Sequence, residues 1–264
     1  MSESHNHANK ALAPRRHDEI LRRIASDGSV SIADLSAFFE VSRETIRRDL
    51  KLLGDKGQLE LIHGGAIRFD AIEPVLGERT RENAQGKRVI GGIAAALVED
   101  GMVVFLDSGT TTFAVAHALA GSRLNWTICT SSLAIALFLC HQPNIKAHIL
   151  GGEIDPREEA AAGLDVLQAV ERFRIDVAFL GGGAVSPDGD ITDFTTAGSL
   201  LRSQMISKAH KAYFVLDSSK FGRLTPMKIS NTAKAAGIIT DRQPKDVLLN
   251  VLVERGVELL FPLR

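Results

Sequence analysis

The stretch Ser42 to Leu50, "SRETIRRDL", decides how the first quarter of the chain is read. It packs three arginines and two acids into nine residues of a 264-residue protein whose formal net charge is −1. Ser42 is a natural N-cap, and Glu44 falls in the first turn that follows, where the helix dipole favours an anion. Ile46, Leu50 and Leu53 then recur at spacings of four and three, which predicts a helix with one buried stripe. At 100° per residue, Glu44, Arg48 and Lys51 point away from that stripe, with Thr45 and Arg47 on its flanks.

Working outward, "SIADLSAFF" (31–39) predicts a shorter helix capped by Ser31, with Asp34 three residues on at the spacing that satisfies orphan amides reciprocally. Before it, Ile20, Leu21 and Ile24 form the stripe of a first helix that "DGS" (27–29) breaks. A tight turn at Glu40 and Val41 separates the second helix from the basic third. A short capped helix, a turn of about three residues and a basic helix have the spacing of a helix-turn-helix, whose second helix enters a DNA major groove. The competing reading is a solvated helix face with pairs such as Glu44 to Arg48. Residues 1–70 hold 11 Lys and Arg against 11 Asp and Glu, so any argument for DNA is local to this helix. Ser42, Arg43, Glu44, Thr45, Arg47, Arg48 and Lys51 are its candidate DNA-facing residues. Downstream, "QLELIHGGAI" (58–67) alternates at period two through Leu59 and Leu61, which predicts the second strand of a β-wing with a hinge at Gly64-Gly65.

With 45% apolar residues the chain can build a core without staples. Cys129 and Cys140 lie in apolar runs and show no metal-ligand spacing, so they read as buried thiols, and no metal or cofactor is expected. No apolar run reaches the roughly 18 residues of a membrane span. The opening "MSESHNHANKALAPRR" lacks the apolar core of a signal peptide, which makes a cytoplasmic protein the expectation. The expected organisation is a disordered arm over 1–14, a winged helix-turn-helix over 15–69, a charged linker with Pro74 over 70–86, and an α/β domain over 87–264.

That last domain is predicted from seven short apolar strands: "MVVFLD" (102–107), "WTICT" (126–130), "AHILGG" (147–152), "VAFLGG" (177–182), "AYFVLD" (212–217), "AGIITD" (236–241) and "VELLF" (257–261). Periodic helical segments lie between most of them, so the economical fold is an open, mostly parallel sheet covered on both faces. Ligands bind outside the carboxyl ends of such strands, and five of these ends carry small hydrogen-bonding residues. Asp107, Ser108, Gly109, Thr110 and Thr111 follow the first, opening a helix whose free amides suit an anion. Thr130 and Ser131 follow the second, Gly151 and Gly152 the third, Gly182 the fourth, and Lys220, a point charge suited to phosphate, the fifth. A phosphate or sugar acid fits such a crevice. Neither G-x-G-x-x-G opening a helix nor G-x-x-x-x-G-K-[ST] occurs, which argues against a dinucleotide or ATP.

Taken in order, "VSRETIRRDLKLL…HGGA" (41–66), "LDSGTTT", "LGG" and "DSSKFGR" resemble the DeoR family of bacterial sugar-responsive transcription factors over roughly residues 15–262. The resemblance implies a winged helix-turn-helix that reads operator DNA and a sensor domain similar in fold to ribose-phosphate isomerase and acyl-CoA transferase-like enzymes. It implies a repressor of a sugar or polyol operon that releases DNA when a phosphorylated sugar or polyol binds. By residue, it puts Arg47 and Arg48 on DNA, gives Asp49 a holding role, places His63 in the wing, and assigns Asp107, Gly109, Thr110, Thr111 and Lys220 to the effector; Arg79 and Lys87 fall on basic positions preceding the sensor. Two departures stand out. Leu61 and Ile62 occupy wing positions where the family commonly carries arginines, and Gly198 stands where it usually carries a glutamate. The second predicts altered recognition of effector hydroxyls with the anion site intact.

One small winged helix makes too few contacts for high specificity, so a homo-oligomer, dimer or tetramer, is expected. The rival reading is a sugar-phosphate isomerase or transferase with a fused DNA-binding head, Asp107 serving as general base.

Overall fold

A computed structural model describes residues 13–69 and 73–262. In chain order its elements are α1 (Ala13–Asp27), β1 (Ser29–Ser31), α2 (Ile32–Phe39), α3 (Arg43–Asp55), β2 (Glu60–Ile62), β3 (Gly65–Phe69), α4 (Leu76–Arg81), α5 (Ala84–Ala95), β4 (Val103–Leu106), α6 (Thr110–Ala120), β5 (Trp126–Thr130), α7 (Leu133–Leu139) and β6 (Ile145–Ile149). There follow β7 (Glu153–Asp155), β8 (Ala160–Ala162), α8 (Leu164–Val170), β9 (Val177–Leu180), β10 (Ala184–Val185), β11 (Ile191–Asp193), α9 (Thr196–Lys208), β12 (Lys211–Val215), β13 (Arg223–Leu224), β14 (Met227–Lys228), β15 (Gly237–Ile239), α10 (Asp246–Glu254) and β16 (Leu259–Leu260). The chain forms two compact units, residues 1–71 with 222–225 and residues 72–221 with 226–264.

The first unit holds the three expected helices around a small core in which Ile20, Leu35, Ile46 and Leu50 are at most 1% exposed. Ser31 accepts from the Asp34 amide at 3.0 Å, and Ser42 from the Thr45 amide at 3.1 Å, so both expected N-caps form. The reciprocal half of the first cap differs, because the Asp34 carboxylate takes the Ser31 hydroxyl at 2.7 Å and not a backbone amide. Glu40 ends α2 in the left-handed region at φ 53°, which makes the tight turn. The expected hinge at Gly64-Gly65 is instead the turn of a hairpin. Gly64, at φ +82°, sits in the turn between β2 and β3, and Gly65 is the first residue of β3. A Cβ on Gly65 would lie 2.1 Å from the Val30 carbonyl oxygen, so the antiparallel pairing of β1 with β3 requires glycine there. β13 adds a fourth strand, parallel to β3.

The second unit is built on a seven-stranded sheet in the order β16-β15-β12-β9-β4-β5-β6, every adjacent pair parallel. All seven strands expected from the sequence are present. Alternating residues feed two cores. Phe105, Ala178 and Phe214 pack with α8, α9 and α10 on one face, while Val104, Leu106 and Phe179 pack with α5, α6 and α7 on the other. β9 is the central strand with β4 beside it, and the chain runs outward from β4 to β6 on one side and from β9 to β16 on the other, so the strand order reverses between β4 and β9.

Three expectations are corrected. Of the proposed linker over 70–86, residues 70–72 lie outside the described set; 76–81 form α4 and 84–86 open α5, within the second unit. The reason is local: Arg79 is drawn inward to Glu73 and Glu158, and Lys87 to two carbonyls, which a solvated linker does not do. The arm expected over 1–14 lies outside the described residues up to residue 12, and Ala13 and Pro14 already belong to α1, where proline is tolerated in a first turn. Cys129 is buried as expected, but Cys140 is exposed, since it caps the end of the surface helix α7.

Candidate functional site

On α3 the buried face holds Ile46, Asp49, Leu50 and Leu53, and the opposite face leaves Arg43, Glu44, Arg47, Arg48 and Lys51 exposed with Thr45 half-buried. Asp49 does not point outward. Its carboxylate accepts from Arg16 Nε at 2.6 Å and Nη2 at 3.0 Å, and lies 2.9 Å from His17 Nε2. Burial works against its ionisation, but the hydrogen bonds from Arg16 and His17 outweigh it and hold the carboxyl below its ordinary range. The aspartate therefore ties the recognition helix to α1. Glu44 does pair with Arg47 at 3.4 Å and Arg48 at 3.7 Å, as the competing reading of this face expects. Those side chains are 60–80% exposed, so each pair is worth only about 0.3–0.5 kcal/mol and yields readily to a phosphate. Exposed His63 sits in the β2–β3 turn.

In the second unit a crevice opens where the strand order reverses, the position that open α/β sheets use for ligands. Ser108 to Thr112 line one side and Gly181 to Gly183 the other. Gly109 caps α6 at φ 122°, a conformation that favours glycine, and no side chain caps the first-turn amides, which leaves them to a ligand. Lys87, Lys220, Arg79 and Arg202 line this lobe together with the carboxyls of Glu73, Glu82 and Asp193, around a cavity of about 30 Å³. Lys87 is 5% exposed and donates to the carbonyls of Arg79 at 2.6 Å and Glu82 at 2.7 Å. Its burial lowers its pKa, against the pull of Asp217. Lys220 lies on a short 3₁₀ turn fixed from several sides. Asp217 accepts from the Ser219 amide at 3.0 Å, Asp241 from the Ser218 amide at 2.6 Å, and Asn83 Nδ2 reaches Asp217, Ser218 and Asp241 at 3.2–3.4 Å.

Asp107 is 1% exposed and fully engaged, accepting from Arg202 Nε at 2.6 Å, the Ser108 amide at 2.8 Å and the Gly181 amide at 3.0 Å. Arg202 also pairs with Asp193. This triad clamps the β4 and β9 loops together, a holding task that takes up both Oδ2 acceptor positions of Asp107 and one on Oδ1. The rest of the expected convergence is partial. Thr130 is buried and spends its hydroxyl on the Ser132 amide at 3.1 Å, while Ser131 lines a neighbouring cavity. Gly151 and Gly152 line neither cavity, because they follow β6, an edge strand two places from the reversal point. Gly182 and Lys220 are in the crevice. Sequence reasoning missed Arg202, Asp193, Glu73 and Glu158. Arg202 alone gave a signal, a charge at the spacing of the apolar stripe that includes Met205 and Ile206.

Comparison with known proteins assigns both units. Residues 16–71 match the DeoR-like helix-turn-helix domain, and residues 82–242 match the DeoR C terminal sensor domain. The chain belongs to the DeoR family. It is 29% identical over 248 residues to the HTH-type transcriptional repressor CsqR of Escherichia coli K12, covering 94% of this chain and 95% of that one. It is 29% identical over 246 residues to the glycerol-3-phosphate regulon repressor of the same strain, covering 93% and 97%. Among solved structures, ribose 5-phosphate isomerase A of Methanocaldococcus jannaschii matches 53% of this chain and 55% of its own with a TM-score of 0.40 and 18% identity. This DeoR-family chain is thus a DNA-binding transcriptional regulator whose sensor domain follows its DNA-binding head in the sequence. Among the described residues, no helix is long and apolar enough to cross a membrane.

Proposed function

We propose that this DeoR-family protein represses a carbohydrate or polyol operon and that a phosphorylated sugar or polyol, bound in the β4–β9 crevice, releases it from DNA. The observation that carries the reading is the pairing of two surfaces: an exposed basic helix face in the head, and a buried crevice whose uncapped helix start and two lysines suit a phosphate. Relatives named as repressors, one of a glycerol-3-phosphate regulon, support it. Arg43, Arg47, Arg48 and Lys51 supply phosphate contacts and base-edge hydrogen bonds, an arginine being able to address guanine O6 and N7 together. Ser42, Glu44, Thr45 and His63 border the same face. The protein acts as a homo-oligomer, because one head offers too few contacts for operator specificity.

The effector acts by population shift, binding the DNA-incompetent arrangement more tightly, so that DNA weakens effector binding by the same factor. The sensor turns nothing over, since Asp107 is committed to Arg202 and two amides. The test is fluorescence anisotropy on DNA from the neighbouring promoter across a salt series. With four basic residues per head and two heads, the slope of log K on log salt should approach roughly −7, and a sugar phosphate should release the DNA. A flat salt response with no effect of any sugar phosphate would refute the proposal, and isomerisation of the added sugar phosphate would refute the sensor assignment.

A further inference from the structure

A second cavity of about 90 Å³ adjoins the phosphate lobe and shares Glu73, Ser108, Asp193 and Arg202 with it. Its lining is the more acidic, since the first lobe sets four cations against three carboxyls. Glu73, Asp107, Asp155, Glu158 and Asp193 contribute five carboxyls, against the single guanidinium of Arg202 on the wall. Arg202 is already spent on Asp107 and Asp193, and Arg79, the nearest further cation, is shared between Glu73 and Glu158. Two carboxyls on one guanidinium leave the second without a fixed cation in a half-buried place. Burial, and next the charge of Glu73, push the Glu158 carboxyl up to about 7. The site thus holds a proton where a fixed cation is missing.

The floor of this lobe is made by Gly198. A Cβ there would stand 2.6 Å from Arg202 Nη1 and 3.0 Å from both Asp193 Oδ2 and Thr195 Oγ1. A glutamate at this position, as the family resemblance expects, has no room beside the clamped Arg202. The glycine therefore does two things: it lets the Asp107–Arg202–Asp193 triad close, and it keeps the second lobe open where a side chain would fill it. Since Ser108 and Asp193 border both lobes, one ligand can span them.

We infer that the effector is a phosphorylated amino sugar or amino polyol with a free ammonium, its phosphate at the start of α6 beside Lys87 and Lys220 and its ammonium in the acidic lobe against Glu73 and Glu158. The inference rests on the reading of the crevice as the effector site and adds the class of ligand. Neutral hydroxyls also donate to carboxylates, but only an ammonium brings the positive charge that can take the place of the Glu158 proton.

The test is calorimetric titration of the full-length protein with matched 6-phosphates of gluco and galacto hexoses carrying hydroxyl, free amine or N-acetyl at carbon 2, with inorganic phosphate as a fourth probe. The expected result, in at least one series, is that the amine binds tenfold or more tightly than the hydroxyl form and that acetylation removes the gain. In Glu158→Gln the ratio of amine to hydroxyl affinity should fall to less than a third of its value. Gly198→Ala should weaken the amine ligand more than inorganic phosphate, which occupies only the first lobe. Equal affinity for amine and hydroxyl forms, or an undiminished ratio in Glu158→Gln, overturns the inference while leaving the phosphorylated-effector reading in place. Failure of all the hexose phosphates and of inorganic phosphate to bind overturns both.

Discussion

Replacing Asp49 with alanine separates two ways in which a residue of the recognition helix can matter. Asp49 is 7% exposed and holds a bidentate ion pair with Arg16, itself 7% exposed, on α1. Removing one partner of a buried pair leaves an uncompensated charge and costs about 3–5 kcal/mol. The head comprises about 57 described residues, for which ordinary stability is roughly 3–9 kcal/mol. The substitution should therefore unfold much of the head at growth temperature and abolish DNA binding through loss of fold. The sensor, with its own two cores, should melt unchanged. Two-transition calorimetry with circular dichroism reads this directly. In Arg16→Met/Asp49→Leu, which removes both charges, much of the loss should return. The pH dependence has a definite sign: the folded carboxyl titrates below its ordinary value of 3.8, so its contribution is complete above that value and is lost as pH falls through the folded one. Asp49→Ala should lack this acid limb. A head that melts within about 1 kcal/mol of the parent while failing to bind DNA would refute the argument and move Asp49 to the DNA surface.

Other substitutions discriminate further. Arg48→Ala, at a side chain 80% exposed, should change stability by less than about 0.5 kcal/mol yet weaken operator binding by about 1–3 kcal/mol; an unchanged gel shift would remove α3 from the groove. Lys220→Ala and Lys87→Met should each leave operator binding intact and abolish release by sugar phosphates, as followed by anisotropy; normal release in both would empty the phosphate lobe. For Glu158 the sign is opposite to that of Asp49. The folded state keeps its proton up to about pH 7, against an ordinary value of 4.5, so sensor stability should decline as pH rises through that window, by up to about 1.4 kcal/mol per unit. Glu158→Gln should flatten the decline and melt higher than the parent at pH 8; an identical pH profile would sink the assignment.

Some of this was open to the sequence because the physics involved is local. A cap, a stripe at spacings of three and four, and a strand of apolar residues ending in glycine or aspartate are each written in consecutive residues, and these placed α3, its exposed arginines and all seven sheet strands. What the sequence did not show is long-range pairing. Arg79 reads as one more charge in a charged stretch until Glu158, 79 positions later, is known to meet it. The hairpin β2–β3 was misread as a strand and hinge because its partner β1 consists of three residues too short to carry a period. The five strand-end loops look equivalent in sequence, and only the strand order separates the two that face the reversal point from the one at the sheet edge.

Gly198 shows the same limit from the other side. Its departure from the family pattern was visible, and the natural deduction was a missing carboxylate. The fold reverses that deduction: the space goes to Arg202, and carboxylates arrive from Glu73 and Glu158, remote in the chain, and from Asp193 in the strand just before α9. A single position thus shapes the second lobe by what it admits rather than by what it contributes. It follows that Gly198→Glu would not restore an ordinary site. With a Cβ already 2.6 Å from Arg202 Nη1, the longer side chain must push the guanidinium from Asp107 and Asp193, unlocking the β4 and β9 loops that frame the phosphate lobe. Inorganic phosphate should then bind more weakly, whereas a merely added carboxylate acting in the second lobe would leave phosphate affinity as it was.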